Sequence, residues 1–418
     1  MAEISKLVER GTWQLRHTAS RCLSKLEEGL GVAESIAQRN QGRLIILDEI
    51  FPSLFSPFRI AEFNSILHHV PGAVVYSSRI YRADFRTYAK LYPDLAGRVR
   101  RFSPALRLRG VAYVVFLNNI IQYIDKIEDA RLPFVLELYP GGGLLLDHPR
   151  SDTRLTRVFE SPFFRKVIVT QNVTRDYLLR KKFCRADQIE FIFGVVVSSN
   201  VLNDDSHPKI RYGSDKRTLD ICFVANKNVP RGADKGYDRF IEAARILGTR
   251  HSQVRFHVVG QLTEKDVEVG DFRNKITFYG HQPTSFFPQF HSRMDIILSP
   301  NIPFVLYAGA FDGFPTGACV EAALCGTALF VTDELGMNDG YFKDGKEIVI
   351  ISREPEQIAD AIGRYISEPE RLSSIGQSGQ RVVRQLFSLD VQMSPRLRVL
   401  SDVSVRASRE PTKRLSSS

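Results

Sequence analysis

Short runs of consecutive apolar residues alternate with longer, mixed segments along most of the chain. The first strong run is Arg43-Leu-Ile-Ile-Leu-Asp48. An unbroken apolar run suits a strand covered on both faces, as in a parallel sheet. Further runs follow at Ala73–Tyr76, Val111–Leu117, Phe134–Leu138, Lys166–Thr170 and Glu190–Phe193, with helix-like stretches between most of them. Strand alternating with helix predicts a doubly wound α/β unit.

The polar stretch from Ser198 to Pro208 then interrupts the pattern and predicts a linker. After it the rhythm restarts. Leu219–Ala225 predicts a strand. Asp234–Leu247 predicts a helix with Tyr237, Phe240, Ile241, Ala244 and Leu247 on one face and Gly248 at its end. Strands are expected at Val254–Gly260, Ile276–Tyr279, Asp295–Ser299, Ala328–Thr332 and Ile348–Ile351, then a helix at Pro355–Ile366. The expected organisation is a first α/β domain over 1–205, a second over 206–387, and a C-terminal helix or tail over 388–418 whose last dozen residues are disordered. Two doubly wound, Rossmann-like domains would face a central cleft. Ligands of such sheets bind outside the carboxyl ends of the strands.

Composition narrows the function. The chain has 418 residues, 43% hydrophobic and 25% charged, with a formal charge of +10. None of the five cysteines forms a CxxC pair, which disfavours a zinc ribbon or a disulfide scaffold and points to a reducing, cytoplasmic setting. The longest apolar runs fall far short of the roughly 20 residues of a spanning helix. The first residues lack a signal peptide's apolar core. Excess Lys and Arg suits anionic lipid, nucleic acid or phosphate-bearing small molecules. No nucleic-acid motif or aromatic-laced basic cluster occurs, so nucleic acid is not expected. Neither HExxH nor HxH occurs, so no protein-ligated metal is expected. The absence of a Gly-x-Gly-x-x-Gly after the first strand, of a Walker A loop and of a Gly-x-Ser-x-Gly elbow disfavours a dehydrogenase, an NTPase and an α/β-hydrolase.

One segment carries the chemistry: Ala310-Phe-Asp-Gly-Phe-Pro-Thr-Gly-Ala-Cys-Val-Glu-Ala-Ala-Leu-Cys-Gly326. Gly313 and Gly317 let backbone approach a ligand, and the amides around Phe314, Thr316 and Ala318 would form a helix N-terminus suited to phosphate. Glu321, about one turn inside, can accept two hydrogen bonds from a vicinal diol such as a ribose. Phosphate beside a diol describes a nucleotide. The competing reading is an amphipathic helix behind a glycine turn, with Glu321 solvated. Lys227, Arg231 and Lys235 share the turn after Leu219–Ala225, where a cation would face that phosphate site. A solvated surface charge is the alternative for each.

With these pieces in order, the second half resembles the donor-binding domain of the family 4 (group 1) retaining glycosyltransferases of the GT-B fold. The similar elements are the strand with Lys235-Gly236 and its helix; Phe256-His-Val-Val-Gly260; Ile276-Thr-Phe-Tyr-Gly280; Asp295-Ile-Ile-Leu-Ser-Pro300; Asp312-Gly-Phe-Pro; Glu321-Ala-Ala-Leu-Cys-Gly326; and Asp344-Gly-Lys-Glu-Ile348. The likeness covers about Thr218 to Phe387. In the first half only the strand rhythm and Glu190-Phe-Ile-Phe-Gly194 are similar.

The resemblance implies a nucleotide-sugar donor as co-substrate and no tightly bound cofactor. It implies transfer to a hydroxyl of a glycan or lipid-linked acceptor, in cell-envelope polysaccharide synthesis. Glu321 would bind the donor ribose, Asp312 would contact sugar hydroxyls, and Lys235 with Lys227 or Arg231 would neutralise the diphosphate. Asp312, Glu321 and Lys235 are thus the catalytic candidates. The usual acids are both glutamate and seven residues apart; here the first is Asp312 and eight residues intervene. The family's glycine pair after the first strand is absent from Phe51–Arg59, and Tyr139 stands near its usual histidine. Arg59, Glu137, Tyr139 and Gly141 are expected on the acceptor or sugar side. The resemblance also implies an acceptor at the inner face of a membrane; Arg98-Val-Arg-Arg101 and Arg107-Leu-Arg109 form a basic stretch that suits an anionic surface, the alternative being a solvated basic face on a soluble enzyme. The rivals are an epimerase or phosphorylase of the same fold, and a non-catalytic nucleotide-sugar binding protein.

Overall fold

The structure, a computed structural model, describes residues 44–53, 56–198 and 206–409. Its first sheet contains β1 Leu44–Asp48, β2 Val74–Ser77, β3 Val99–Arg101, β4 Val111–Val115, β5 Phe134–Leu138, β6 Phe164–Val169 and β7 Ile189–Phe191, in the order β3-β2-β1-β4-β5-β6-β7. Helices α1 Pro57–His69, α2 Arg82–Leu91, α3 Pro93–Ala96, α4 Leu117–Asp129, α5 Pro149–Phe159 and α6 Asn172–Arg180 connect the strands. The second sheet contains β8 Leu219–Ala225, β9 Val254–Gly260, β10 Ile276–Gly280, β11 Ile296–Ser299, β12 Ala328–Val331 and β13 Val349–Ile350, in the order β10-β9-β8-β11-β12-β13. Around it lie α7 Tyr237–Arg250, α8 Phe287–Ser292, α9 Gly317–Leu324, α10 Pro355–Ile366 and α11 Pro369–Leu386; α12 Leu389–Arg409 follows. Neighbouring strands in both sheets run parallel.

The pattern of burial explains the elements. All five residues of β1, β4 and β5 are buried, the mainly apolar runs lying between two helical layers and taking Asp48 and Glu137 inside with them. α4 buries Leu117, Ile120, Tyr123, Ile124 and Ile127 on one face. Burying each such side chain contributes about 1.5–3 kcal/mol. Strand order reverses between β1 and β4 in the first sheet and between β8 and β11 in the second. These are the switch points beside which ligands of doubly wound sheets bind.

Several expectations need correction. The basic stretch Arg98–Arg101 includes a strand, β3, at the sheet edge. Its brevity and alternating charge hid it, whereas the pairing of Val75 with Val99 makes it a strand. Arg98 turns inward and donates to the carbonyls of Leu67 (2.5 Å) and Val70 (3.3 Å). The helix expected from Asp234 begins at Tyr237, because Gly236 is left-handed (φ 67°) and Pro230–Lys235 is a 3₁₀ segment. Gly248 lies within α7, not beyond it. Most of the expected linker, Arg43 and the last residues of the tail lie outside the described residues.

The chain after Phe387 returns to the first domain. In α12, Met393, Leu397, Leu400 and Val403 join the core formed by β1, β4 and α1. Gln392 donates to the carbonyl of Phe193 at 2.9 Å. A segment far along the sequence therefore completes the first domain.

Candidate functional site

The turn after β8 and the turn after β11 meet at the second sheet's switch point. A Cβ on Gly236 would lie 1.9 Å from the carbonyl oxygen of Pro300, so only glycine permits this approach. The amide of Ile302 donates to the carbonyl of Asp234 at 3.1 Å. Asp234 is itself buried and accepts from Asn228 at 2.8 Å. Lys235, clamped between these contacts, donates to both carboxylate oxygens of Asp312, each at 2.6 Å.

The segment from Asp312 then leads into α9. Thr316 caps the helix, its hydroxyl accepting from the amide of Cys319 at 3.4 Å. Glu321 lies one turn inside, half-buried, with no hydrogen-bond or ion partner among the described residues. Desolvation raises its pKa to about 7. An unpartnered carboxylate close to ionisation has its full acceptor capacity available. An open pocket of ≈ 430 Å³ borders Asn301, Asp312, Phe314, Thr316, Thr332 and Glu334. Gly313 is half-buried and Gly317 exposed.

The other predicted cations are placed differently. Lys227 pairs with Asp266 and not with Asp312. Arg231 is exposed, with left-handed backbone (φ 59°). Of the three candidates, Lys235 alone is hydrogen-bonded to the acid of the α9 segment. Among the described residues, no His, Cys, Asp and Glu side chains cluster as a metal-ligand set.

On the first domain, three of the expected acceptor residues are turned inward. Arg59 is buried and pairs with Asp48 at 2.9 Å. Asp48 also accepts from the amides of Ile50 (2.9 Å) and Phe51 (2.7 Å). A carboxylate thus organises the turn after β1. Glu137 and Tyr139 are buried beneath α12. Arg396 donates to Glu137 at 2.7 Å and to the hydroxyl of Tyr139 at 3.0 Å, and Tyr139 donates to Glu62 at 2.7 Å. The Tyr113 hydroxyl bridges Glu62 and Glu137. Burial, then the charge of Glu137, raises the Glu62 pKa to about 8. These groups hold the first domain together and do not face the cleft; burial of Arg396 among them is the reason. Gly141 is exposed and has φ 81°.

The two domains touch at the cleft. Gln171 donates to the carbonyl of Phe314 at 3.3 Å and Asn172 to that of Gly336 at 3.0 Å. Phe193 stacks on Tyr341 with centroids 3.8 Å apart. The sequence reading missed Gln171 and Asn172. Their one available signal was position, directly after a strand at its carboxyl end.

Residues 216–382 match the family of glycosyl transferases group 1, a span that holds the second sheet. No curated protein matches the chain by sequence. Among solved structures, HepE of Anabaena in complex with UDP and glucose is similar over 88% of this chain and 100% of its own, with 15% identity and a TM-score of 0.62. Sucrose-phosphate synthase of Thermosynechococcus elongatus is similar over 85% of this chain and 98% of its own, with 13% identity and a TM-score of 0.56. TarM of S. aureus, crystallised with UDP and α-GlcNAc-glycerol, covers 69% of this chain and 55% of its own, at 14% identity and a TM-score of 0.54. At these identities the likeness is one of fold, the GT-B arrangement of two facing Rossmann-like domains.

Proposed function

From the premise that the chain is a nucleotide-sugar-dependent glycosyl transferase of group 1, we propose that it moves the sugar, with retention of configuration, to a hydroxyl of a glycan or lipid-linked acceptor in cell-envelope polysaccharide synthesis. The observation that carries the donor assignment is the grouping of an unpartnered Glu321, the α9 N-terminus and Lys235 on adjoining turns of one switch point. Glu321 accepts from the ribose hydroxyls. Lys235 and the α9 amides take the charge that grows on the leaving diphosphate, where preorganised donors contribute most. Asp312 holds Lys235 until the donor arrives and then contacts the sugar. The nucleotide of two fold neighbours, UDP, supports a uridine donor here.

The setting proposed is cytoplasmic, with the first domain's edge against an anionic membrane. Arg100, Arg101, Arg107 and Arg109 are exposed and make no ion pair among the described residues. Tyr81 and Leu91, at either end of α2, are exposed apolar groups. No described helix is long and apolar enough to cross a membrane.

The donor assignment is tested by a panel of nucleotide sugars in thermal unfolding. A ligand specific for the native state raises the midpoint by mass action. UDP-sugars should protect the wild-type protein and protect Glu321→Gln far less. Equal protection of both proteins would overturn the assignment.

A further inference from the structure

With Glu137, Tyr139 and Arg59 turned inward, the first domain offers different groups to the cleft. The turn from β5 to α5 runs through Gly141-Gly142-Gly143, with φ of 81°, 54° and 91°. The amide of Asn118, in the first turn of α4, donates to the carbonyl of Gly142 at 2.8 Å. A Cβ on Gly143 would lie 2.1 Å from Asn118 Oδ1. Arg154, from α5, donates to that same Oδ1 at 2.8 Å. Two successive strand-to-helix turns are therefore knitted together around one guanidinium.

Arg150 stands one turn before Arg154 on α5, exposed, with no ion partner among the described residues. The acids that could serve either arginine are taken. Asp147 pairs with Arg180 (2.7 Å) and Lys181 (3.4 Å), and Asp152 pairs with Lys181 (2.9 Å). Partial burial, followed by the charge of Arg150, lowers the pKa of Arg154. Two guanidiniums thus stand close enough to repel, beside a glycine turn, and neither pairs with a carboxylate among the described residues. An anion would relieve that repulsion and accept charge-assisted hydrogen bonds from a planar fork.

The second domain reaches the same corner. The carbonyl of Gly309 accepts from the amide of Leu146 at 2.9 Å, and a Cβ on Gly309 would lie 2.2 Å from the Leu146 oxygen. The amide of Leu145 in turn donates to Ser151 of α5 at 3.1 Å. The loop that carries Gly309 exposes Phe304 (46%), Val305 (41%) and Tyr307 (65%). Its base, Asn301–Pro303, borders the donor pocket. One loop therefore runs from the pocket to the turn that precedes the two arginines, and exposes aromatic side chains on the way.

We propose that this corner is the acceptor subsite, and that the acceptor is an anionic glycan whose phosphate or carboxylate sits on Arg150 and Arg154 while a sugar ring lies against Tyr307. This rests on the glycosyl transferase reading of the cleft. It adds a charge to the acceptor, which the reading leaves open.

Calorimetric titration of the full chain, saturated with UDP, tests it. The probes are glucose, glucose 6-phosphate and glucuronate. Both anionic sugars, or the one whose group is matched, should bind at least ~10-fold more tightly than glucose, the ratio expected of a charged hydrogen bond. The relative gain for glucose 6-phosphate and glucuronate separates phosphate from carboxylate. Arg150→Gln with Arg154→Gln should abolish the preference and leave the UDP affinity unchanged. Tyr307→Ala should weaken all three sugars together. Equal binding of glucose and both anions overturns the proposal, as does a preference that survives in the double variant. A preference lost in Lys235→Ala but kept in the arginine variant places the anion at the donor site and also overturns it. Failure of UDP to bind at all refutes the donor assignment instead; the anion preference is then read without nucleotide.

Discussion

Lys235 and Asp312 form a two-pronged ion pair across adjoining turns, with the ammonium 2.6 Å from each carboxylate oxygen. The cation best placed for a diphosphate is neutralised by an acid of the same site. A donor must compete for it. In the proposed donor site the pair acts as a placeholder that keeps the half-buried lysine oriented and compensated. Both oxygens of the aspartate reach the ammonium despite its short side chain.

Asp312→Asn should loosen this hold. UDP affinity is expected to rise several-fold, since the diphosphate no longer competes with a carboxylate, while kcat falls as the sugar contact and the lysine's orientation are lost. Lys235→Ala should lower kcat/KM by the equivalent of about 1.5–3 kcal/mol. Steady-state kinetics with calorimetry separates the two effects; UDP binding unchanged in Asp312→Asn would count against the placeholder role.

In its proposed role as the ribose ligand, Glu321 should make donor binding depend on pH. Its pKa of about 7 in the free protein means that the carboxylate is half protonated near neutrality. Ribose hydroxyls donate to the ionised form, so donor affinity should climb as pH rises through 7 and level off above it. Glu321→Gln should be flat over the same range and bind about 10–100-fold more weakly at pH 8, as loss of hydrogen bonds to a charged acceptor implies. The linkage to folding has the opposite sense. An acid whose folded pKa is raised favours the fold most below its unfolded value near 4.5, and that contribution is lost as pH rises through 7. Affinity measured between pH 6 and 8.5 checks the first claim.

The network under α12 should dominate the first domain's response to mutation. Arg396→Ala leaves Glu137 buried without its cation and is expected to destabilise by about 3–5 kcal/mol. Glu62 is protonated near neutrality, its pKa being raised to about 8, so Glu62→Gln should be mild at pH 6. The wild-type protein loses the stability linked to the protonated Glu62 as pH rises from the usual carboxylate range through 8. The glutamine variant lacks that loss and should gain relative stability at pH 9. Urea unfolding at both pH values tests each direction.

Gly236→Ala should displace Lys235 without touching a ligand. The new Cβ would collide with Pro300 at a residue that is left-handed. A loss of more than about 1 kcal/mol is expected, beyond the gain an alanine brings where the backbone tolerates it. Thermal unfolding reads the loss, and UDP affinity should fall with it.

The basic edge predicts salt-sensitive association with anionic vesicles. Each Lys or Arg near such a surface contributes roughly 1 kcal/mol. Replacing Arg100, Arg101, Arg107 and Arg109 with Gln should abolish co-sedimentation while leaving UDP binding intact. Equal recovery of the wild-type protein with neutral and anionic vesicles at low salt would sink the membrane contact.

Local sequence determined most of the two sheets. β8 and β9 coincide with their predicted ranges, and β1 differs at one undescribed residue, because a strand inside a parallel sheet is dominated by apolar residues and is visible as a run or an alternation. The donor-side residues were legible for a related reason. Gly236 stands at a left-handed turn that only glycine fits, and Glu321 lies one turn inside α9 behind the Thr316 cap, so residue type and spacing coincide within a few residues. What tertiary structure decided lies where partners are distant in the chain. Glu137 reads as a polar group at a strand end, yet Arg396, 259 positions later, turns it into core. Lys227 reads as a phosphate ligand, and only the fold shows that it also pairs with Asp266. Arg150 and Arg154 carry no motif, and their lack of a counter-charge follows from Asp147 and Asp152 being bound by α6 and the lysine after it. Periodicity registers which face of an element is covered. Which charge meets which depends on the folded path of the whole chain, and no local pattern encodes it.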